Sequence, residues 1–237
     1  CKNLLESIAS WNPTRPRQQH VTLQTVVASI EEFLKLDSDC PDEPQDDWKY
    51  PSPLASQDFN PGGVLATDID VSDGYAYLTS NSSPDVENDL WIVNVSDPDP
   101  LSLYVEGQIN IGKGLFAVDV AGDYAYVANN ATSGQLIVIN IQDKANPVIA
   151  ATSTLVGVDP AGSYPQAREI FYYNNHVYVG TRRTAGPEFH IFSVDPADGA
   201  SPENPIHVEN RELNHTVRDI VVRGDYAYIA TTGDQNE

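Results

Sequence analysis

Four near-copies of one motif, an aromatic pair set among small residues, recur along the chain. They are Gly74-Tyr75-Ala76-Tyr77-Leu78, Asp123-Tyr124-Ala125-Tyr126-Val127, Asn175-His176-Val177-Tyr178-Val179 and Asp225-Tyr226-Ala227-Tyr228-Ile229. The second aromatic residues, Tyr77, Tyr126, Tyr178 and Tyr228, stand 49, 52 and 50 residues apart. A fixed period in this range marks a chain built from repeated supersecondary units. Each copy follows an alternating strand: Asp68 to Val71, Val118 to Val120, Ile170 to Tyr172 and Ile220 to Val222. Three copies precede an apolar strand, at Leu90 to Val95, Leu136 to Ile141 and Phe189 to Val194. A last strand closes each of these units, around Leu103 to Val105, Val148 to Ala150 and Ile206 to Val208.

Four short strands per unit, joined by Gly, Asp and Asn turns, predict the blades of an all-β β-propeller. A lone four-stranded antiparallel sheet with two apolar faces can bury both only against neighbouring sheets. The period-2 pattern excludes a helical solenoid, and a β-sandwich does not require the same aromatic pair at equal distances. The count is about three and a half blades: four strands in each of the first three, two in the fourth. The expectation that follows is that the chain is a piece of a longer protein, or self-associates through the incomplete fourth blade.

Leu90-Trp91-Ile92-Val93-Asn94-Val95-Ser96-Asp97-Pro98, and Leu136-Ile137-Val138-Ile139-Asn140-Ile141 with Asp143 and Asn146-Pro147 behind it, resemble the LVIVD repeat of bacterial and archaeal surface proteins. The Gly-Asp-Tyr-Ala-Tyr runs at Gly122 and Gly224 resemble the other half of that unit. The resemblance extends from about Gly62 to the C-terminus. It departs at the Asp of the repeat, which is Asn94, Asn140 and Ser193 here. It implies a propeller on or outside the cell, without implying one chemistry. Tyr126-Val127-Ala128-Asn129 is also similar to surface-layer and lactonase-like propellers.

Residues 1–61 read differently. Val21, Leu23, Val26, Val27, Ile30, Phe33 and Leu34 recur at helical spacing, so residues 1–40 are expected to be a small helical segment. Residues 41–61, with Pro41, Pro44, Pro51 and Pro53, read as an acidic, Pro-rich linker, leaving 62–237 for the propeller repeats. The chain opens on Cys1 and contains no Met, so its natural start is expected elsewhere. Cys1 and Cys40, the only cysteines, flank the helical segment and are expected to form a disulfide in an oxidising compartment. A lipid on Cys1 would compete for the same sulfur.

With 34 acidic and 13 basic side chains the net charge is −21, which repels phosphate backbones, so nucleic acid is not an expected partner. No apolar run reaches the roughly 18 residues of a membrane span. No catalytic motif is present, so no catalytic residue, metal or cofactor is assigned. Asp68, Asp70, Asp119 and Asp219 fall on the channel-side strands and are read as turn and rim groups. The five histidines show no ligand spacing. The candidate ligand site is the loop cluster of Tyr164, Arg168, Arg182 and Arg183, because variable connections on a rigid repeat carry specificity. The expected function is an extracellular or cell-surface scaffold for binding or adhesion to a protein or glycan. The alternatives are a lactonase-like or quinoprotein-like enzyme and a structural subunit of a surface filament or layer.

Overall fold

The computed structural model describes residues 65–81, 88–96, 103–157, 166–183 and 185–232. The expected helices, the linker and the Cys1–Cys40 pair lie outside the described residues, as does Tyr164. The described residues form fourteen strands in four antiparallel sheets. The first blade is β1 (Leu65–Ser72), β2 (Tyr75–Asn81), β3 (Leu90–Asn94) and β4 (Tyr104–Ile109); the second is β5 (Leu115–Ala121), β6 (Tyr124–Asn129), β7 (Leu136–Asn140) and β8 (Val148–Ser153). The third is β9 (Ala167–Tyr173), β10 (His176–Thr181), β11 (Phe189–Ser193) and β12 (Ile206–Arg211), and β13 (Val217–Arg223) pairs with β14 (Tyr226–Thr231). Within each sheet the strands lie side by side in chain order. This is the propeller architecture the repeat predicts.

The local chemistry explains each element. Asp73 and Gly74 both take positive φ, as do Asn174 and Asn175, which a two-residue type I′ hairpin requires. The third strands, β3, β7 and β11, are covered on both faces and are therefore almost continuously apolar. The fourth strands, β4, β8 and β12, are mostly open to solvent and polar residues return there.

The sheets stack face to face, and the cores lie between them. Tyr77, Leu90 and Ile92 of the first blade pack with Leu115, Val118 and Ile139 of the second. Tyr126, Leu136 and Val138 of the second meet Ile170 and Val177 of the third, with Phe192 in the same cluster. Phe171, Tyr178 and Phe189 meet Val217, Ile220 and Val222 of the last sheet. Approach is close enough that a Cβ at Gly107 would lie 2.0 Å from the Lys144 carbonyl oxygen of the next blade, so only glycine fits there.

Inner strands β1, β5, β9 and β13 are consecutive neighbours. Polar bonds join three of them. Asp68 Oδ2 accepts the Val118 N–H at 2.9 Å, Asp70 Oδ2 the Val120 N–H at 2.8 Å, and Asp119 Oδ2 the Tyr172 N–H at 2.6 Å. These aspartates are therefore interblade acceptors and not turn or rim groups, which corrects the sequence expectation. The structural equivalents of Asp70 and Asp119 are Phe171 and Val221, so between the last two sheets apolar packing takes the place of these aspartate bonds, with the Gly224 N–H donating to Tyr173 Oη at 3.3 Å. On the far side of the last sheet Val221, Tyr226 and Tyr228 are exposed.

Candidate functional site

Because consecutive strands alternate in direction, the β2–β3, β6–β7 and β10–β11 connections and the linkers between blades all emerge where the inner strands begin. At this mouth every inner strand carries a bulge at the same repeat position. The extra residues are Thr67, Phe116, Arg168 and Arg218. A bulge leaves one residue unpaired and re-aims its side chain, so four structurally equivalent positions present four independently variable side chains. Thr67 Oγ1 donates to the Leu115 carbonyl at 2.8 Å. The Arg168 guanidinium lies over the Phe116 ring, 4.2 Å from its centroid, and Nη2 donates to Gln166 Oε1 at 3.3 Å. Burial, and after it the charges of Arg218 and Arg182, hold the Arg168 pKa below its ordinary value.

Of the residues singled out from sequence, Arg168 and Arg182 are thus brought within electrostatic reach of each other. Arg182 N–H donates to the Gln166 carbonyl at 3.0 Å and Arg183 N–H to Thr216 Oγ1 at 3.0 Å. Both arginines follow the end of β10, in the connection to β11, whereas Arg168 lies on β9 and not in a loop. Arg218 joins the cluster although no motif singles it out; only the register makes it the equivalent of Arg168 in the repeat.

Below the mouth the channel side is acidic. Burial pushes Asp119 up to about 6, with Asp70 and Asp68 adding to the rise against two backbone hydrogen bonds. Glu169 is pushed up to about 7 by burial and by Asp68, Asp219 and Asp119. Because this value lies above the ordinary 4.5, the contribution of Glu169 to stability is full below pH 4.5 and is lost as pH rises through 7. Glu169→Gln is therefore expected to leave stability at pH 4 unchanged. At pH 8 it should raise stability by about 2 kcal/mol after screening by the open channel, as read by urea unfolding at both pH values.

Three buried polar residues repeat just before the third strand of each full blade and clamp the linker to the next. Asp89 Oδ2 accepts the Ile111 and Gly112 N–H groups at 2.7 and 2.9 Å. Glu188 Oε2 accepts those of Leu213 and Asn214, both at 2.9 Å, and Gln135 Oε1 accepts that of Leu155 at 3.0 Å. At the end of that strand Asn94 Oδ1, Asn140 Oδ1 and Ser193 Oγ each accept the N–H two residues on. The turn role thus survives loss of the carboxylate. Strand pairing also joins His190 and His207, with Nδ1 and Nε2 3.3 Å apart, while His190 Nε2 donates to the Pro187 carbonyl at 2.9 Å. Burial lowers the His190 pKa to about 4, so the pair is neutral near pH 7. Among the described residues no group of three or more His, Cys, Asp or Glu is arranged to hold a metal, and no helix is long and apolar enough to cross a membrane.

No curated protein matches the chain. Among solved structures, the computationally designed Ika4 protein is similar at a TM-score of 0.53 and 8% identity, over 77% of this chain and 94% of that one. A quinonprotein alcohol dehydrogenase-like protein from Bacteroides thetaiotaomicron VPI-5482 is similar at a TM-score of 0.44 and 15% identity, over 72% of this chain and 39% of that one. This chain thus spans about two fifths of the Bacteroides protein. The LVIVD repeat family matches residues 63–106, 116–154 and 216–235, which fall on the first, second and last sheets. Three segments of the chain thus carry the LVIVD repeat, two of them folded as four-stranded antiparallel propeller blades and the third as the two-stranded last sheet.

Proposed function

We propose that the chain is an extracellular or cell-surface binding module that presents the mouth of its propeller to a protein or glycan partner. The observation that carries this reading is the ring of bulge positions. The strands beneath repeat closely, yet the four equivalent residues at the mouth are Thr67, Phe116, Arg168 and Arg218. Scaffold positions held alike and mouth positions varied is the pattern of a rigid support with a specificity surface. Arg182 and Arg183 border the same end through their backbone bonds to Gln166 and Thr216. Adhesion follows from such a site when the partner is itself fixed to a surface.

The test is binding of the fluorescently labelled chain to a printed glycan array and to intact cells. The wild type is expected to bind a restricted set of glycans or cells, and Arg182→Ala with Arg183→Ala should weaken that binding at least about tenfold at unchanged Tm. Equal binding by the double variant would remove the mouth from the account.

A further inference from the structure

Resting on the mouth as the binding face, we propose that the ligand is held there through an oxyanion, a sulfate, phosphate or carboxylate group, gripped by Arg168, Arg182 and Arg218 beside Phe116.

Only 13 of 237 residues are Lys or Arg, against 34 acids, yet three of the 13 gather at one end of the inner strands. Arg182 and Arg218 act on Arg168 as like charges, and among the described residues none of the three forms an ion pair, unlike Arg211, which lies 3.7 Å from Glu209. Carboxylates are close along the chain, since Glu169 follows Arg168 and Asp219 follows Arg218. Their charges are turned to each other instead: the groups acting on Glu169 are Asp68, Asp219 and Asp119.

Position is equally specific. Two of the three arginines occupy bulges, where the side chain is aimed by an irregularity built into the strand. Arg168 is held by its stack on Phe116 and its bond to Gln166, and its Nε is buried without a hydrogen-bond partner. A guanidinium presents planar, forked donors that match an oxyanion in pairs, which the point charge of an ammonium does not. An anion entering the cluster relieves the repulsion among the three charges and gives their N–H groups charged acceptors. Arg183 is left out of the grip because Glu212 lies within its field.

The test is an NMR titration of the arginine Nε–H resonances with inorganic sulfate, inorganic phosphate, a sulfated disaccharide and its unsulfated parent, with sodium chloride at matched ionic strength. The proposal expects saturable shifts at Arg168 and Arg218 with sulfate or phosphate and with the sulfated sugar, and none with chloride or the parent sugar. A shift with the sulfated sugar far exceeding that with the free ions would place the oxyanion on a saccharide; equal shifts would place recognition in the ion alone. Arg168→Lys and Arg218→Lys, which keep the charge, should each weaken binding at least fivefold, while Arg211→Lys should not. Arg218→Ala, at an exposed position, serves where Arg168→Lys disturbs the fold. Chloride shifting the same resonances as sulfate would overturn the proposal, as would affinities unchanged in the Lys variants. If the array instead finds a neutral glycan whose binding needs Arg182 and Arg183 but neither Arg168 nor Arg218, the oxyanion fails while the mouth stands; if nothing binds, both fail.

Discussion

Tyr126→Ala is expected to destabilise the protein by about 4 kcal/mol, whereas Tyr228→Ala should change stability by less than about 0.5 kcal/mol. The two tyrosines hold the same position in their repeats, paired with Asp119 and Val221 on their inner strands. Tyr126 is 1% exposed in the core between the second and third blades, stacked on Tyr172 at 5.1 Å between centroids and 18° between planes. Removing its ring leaves a cavity bounded by two sheets that cannot collapse independently, and also forfeits the ring-to-ring contact. Tyr228 is 61% exposed, because no further sheet covers its face among the described residues. Chemical denaturation of both variants measures the difference directly. Equal costs would mean that sequence position, and not the neighbouring blade, decides what a repeat residue contributes.

The second large effect belongs to the linker clamps. Asp89→Ala is expected to cost about 3 kcal/mol, since the fully buried carboxylate accepts two N–H groups of the strand-to-strand connection and its loss strands both. Glu188→Ala should cost a similar amount for the same reason at the next junction but one. Gln135→Ala should cost about 1 kcal/mol, because a neutral amide there accepts a single linker N–H. The ordering of the three in one denaturation series checks the clamp, since their burial is the same and their hydrogen-bonding differs.

The architecture was legible because it is written in period and composition together. Tyr77, Tyr126, Tyr178 and Tyr228 mark one repeat position, and the runs at Leu90, Leu136 and Phe189 mark the strand buried on both faces. The bulges were not legible. A single extra residue shifts the alternation by one place, and Thr67, Phe116, Arg168 and Arg218 share no side-chain chemistry that would align them. Asp89, Gln135 and Glu188 left a signal, a polar residue always preceding the apolar strand, but three different residue types concealed its constancy. The aspartates of β1 and β5 were visible yet misread, because the backbone groups they accept lie on the next blade, about 50 positions away. His190 and His207 meet only through the register of β11 with β12. Loop variability singles out Arg168, Arg182 and Arg183, but Arg168 lies on β9 at a bulge, a position it shares in the repeat with Phe116 and Arg218, which loop variability does not mark.

Amide hydrogen exchange at Val118, Val120 and Tyr172 tests the stacking of blades most directly. Val118 and Val120 lie on β5 and Tyr172 on β9, each the terminal strand of its sheet, and their N–H groups are taken by Asp68, Asp70 and Asp119 of the preceding blade. In an isolated sheet nothing would hold these protons. The stacked arrangement predicts protection at least about a hundredfold above the unstructured rate at all three, with Asp70→Ala releasing Val120 while Tyr172 stays protected. Exchange of all three at the unstructured rate in the folded wild type would contradict it.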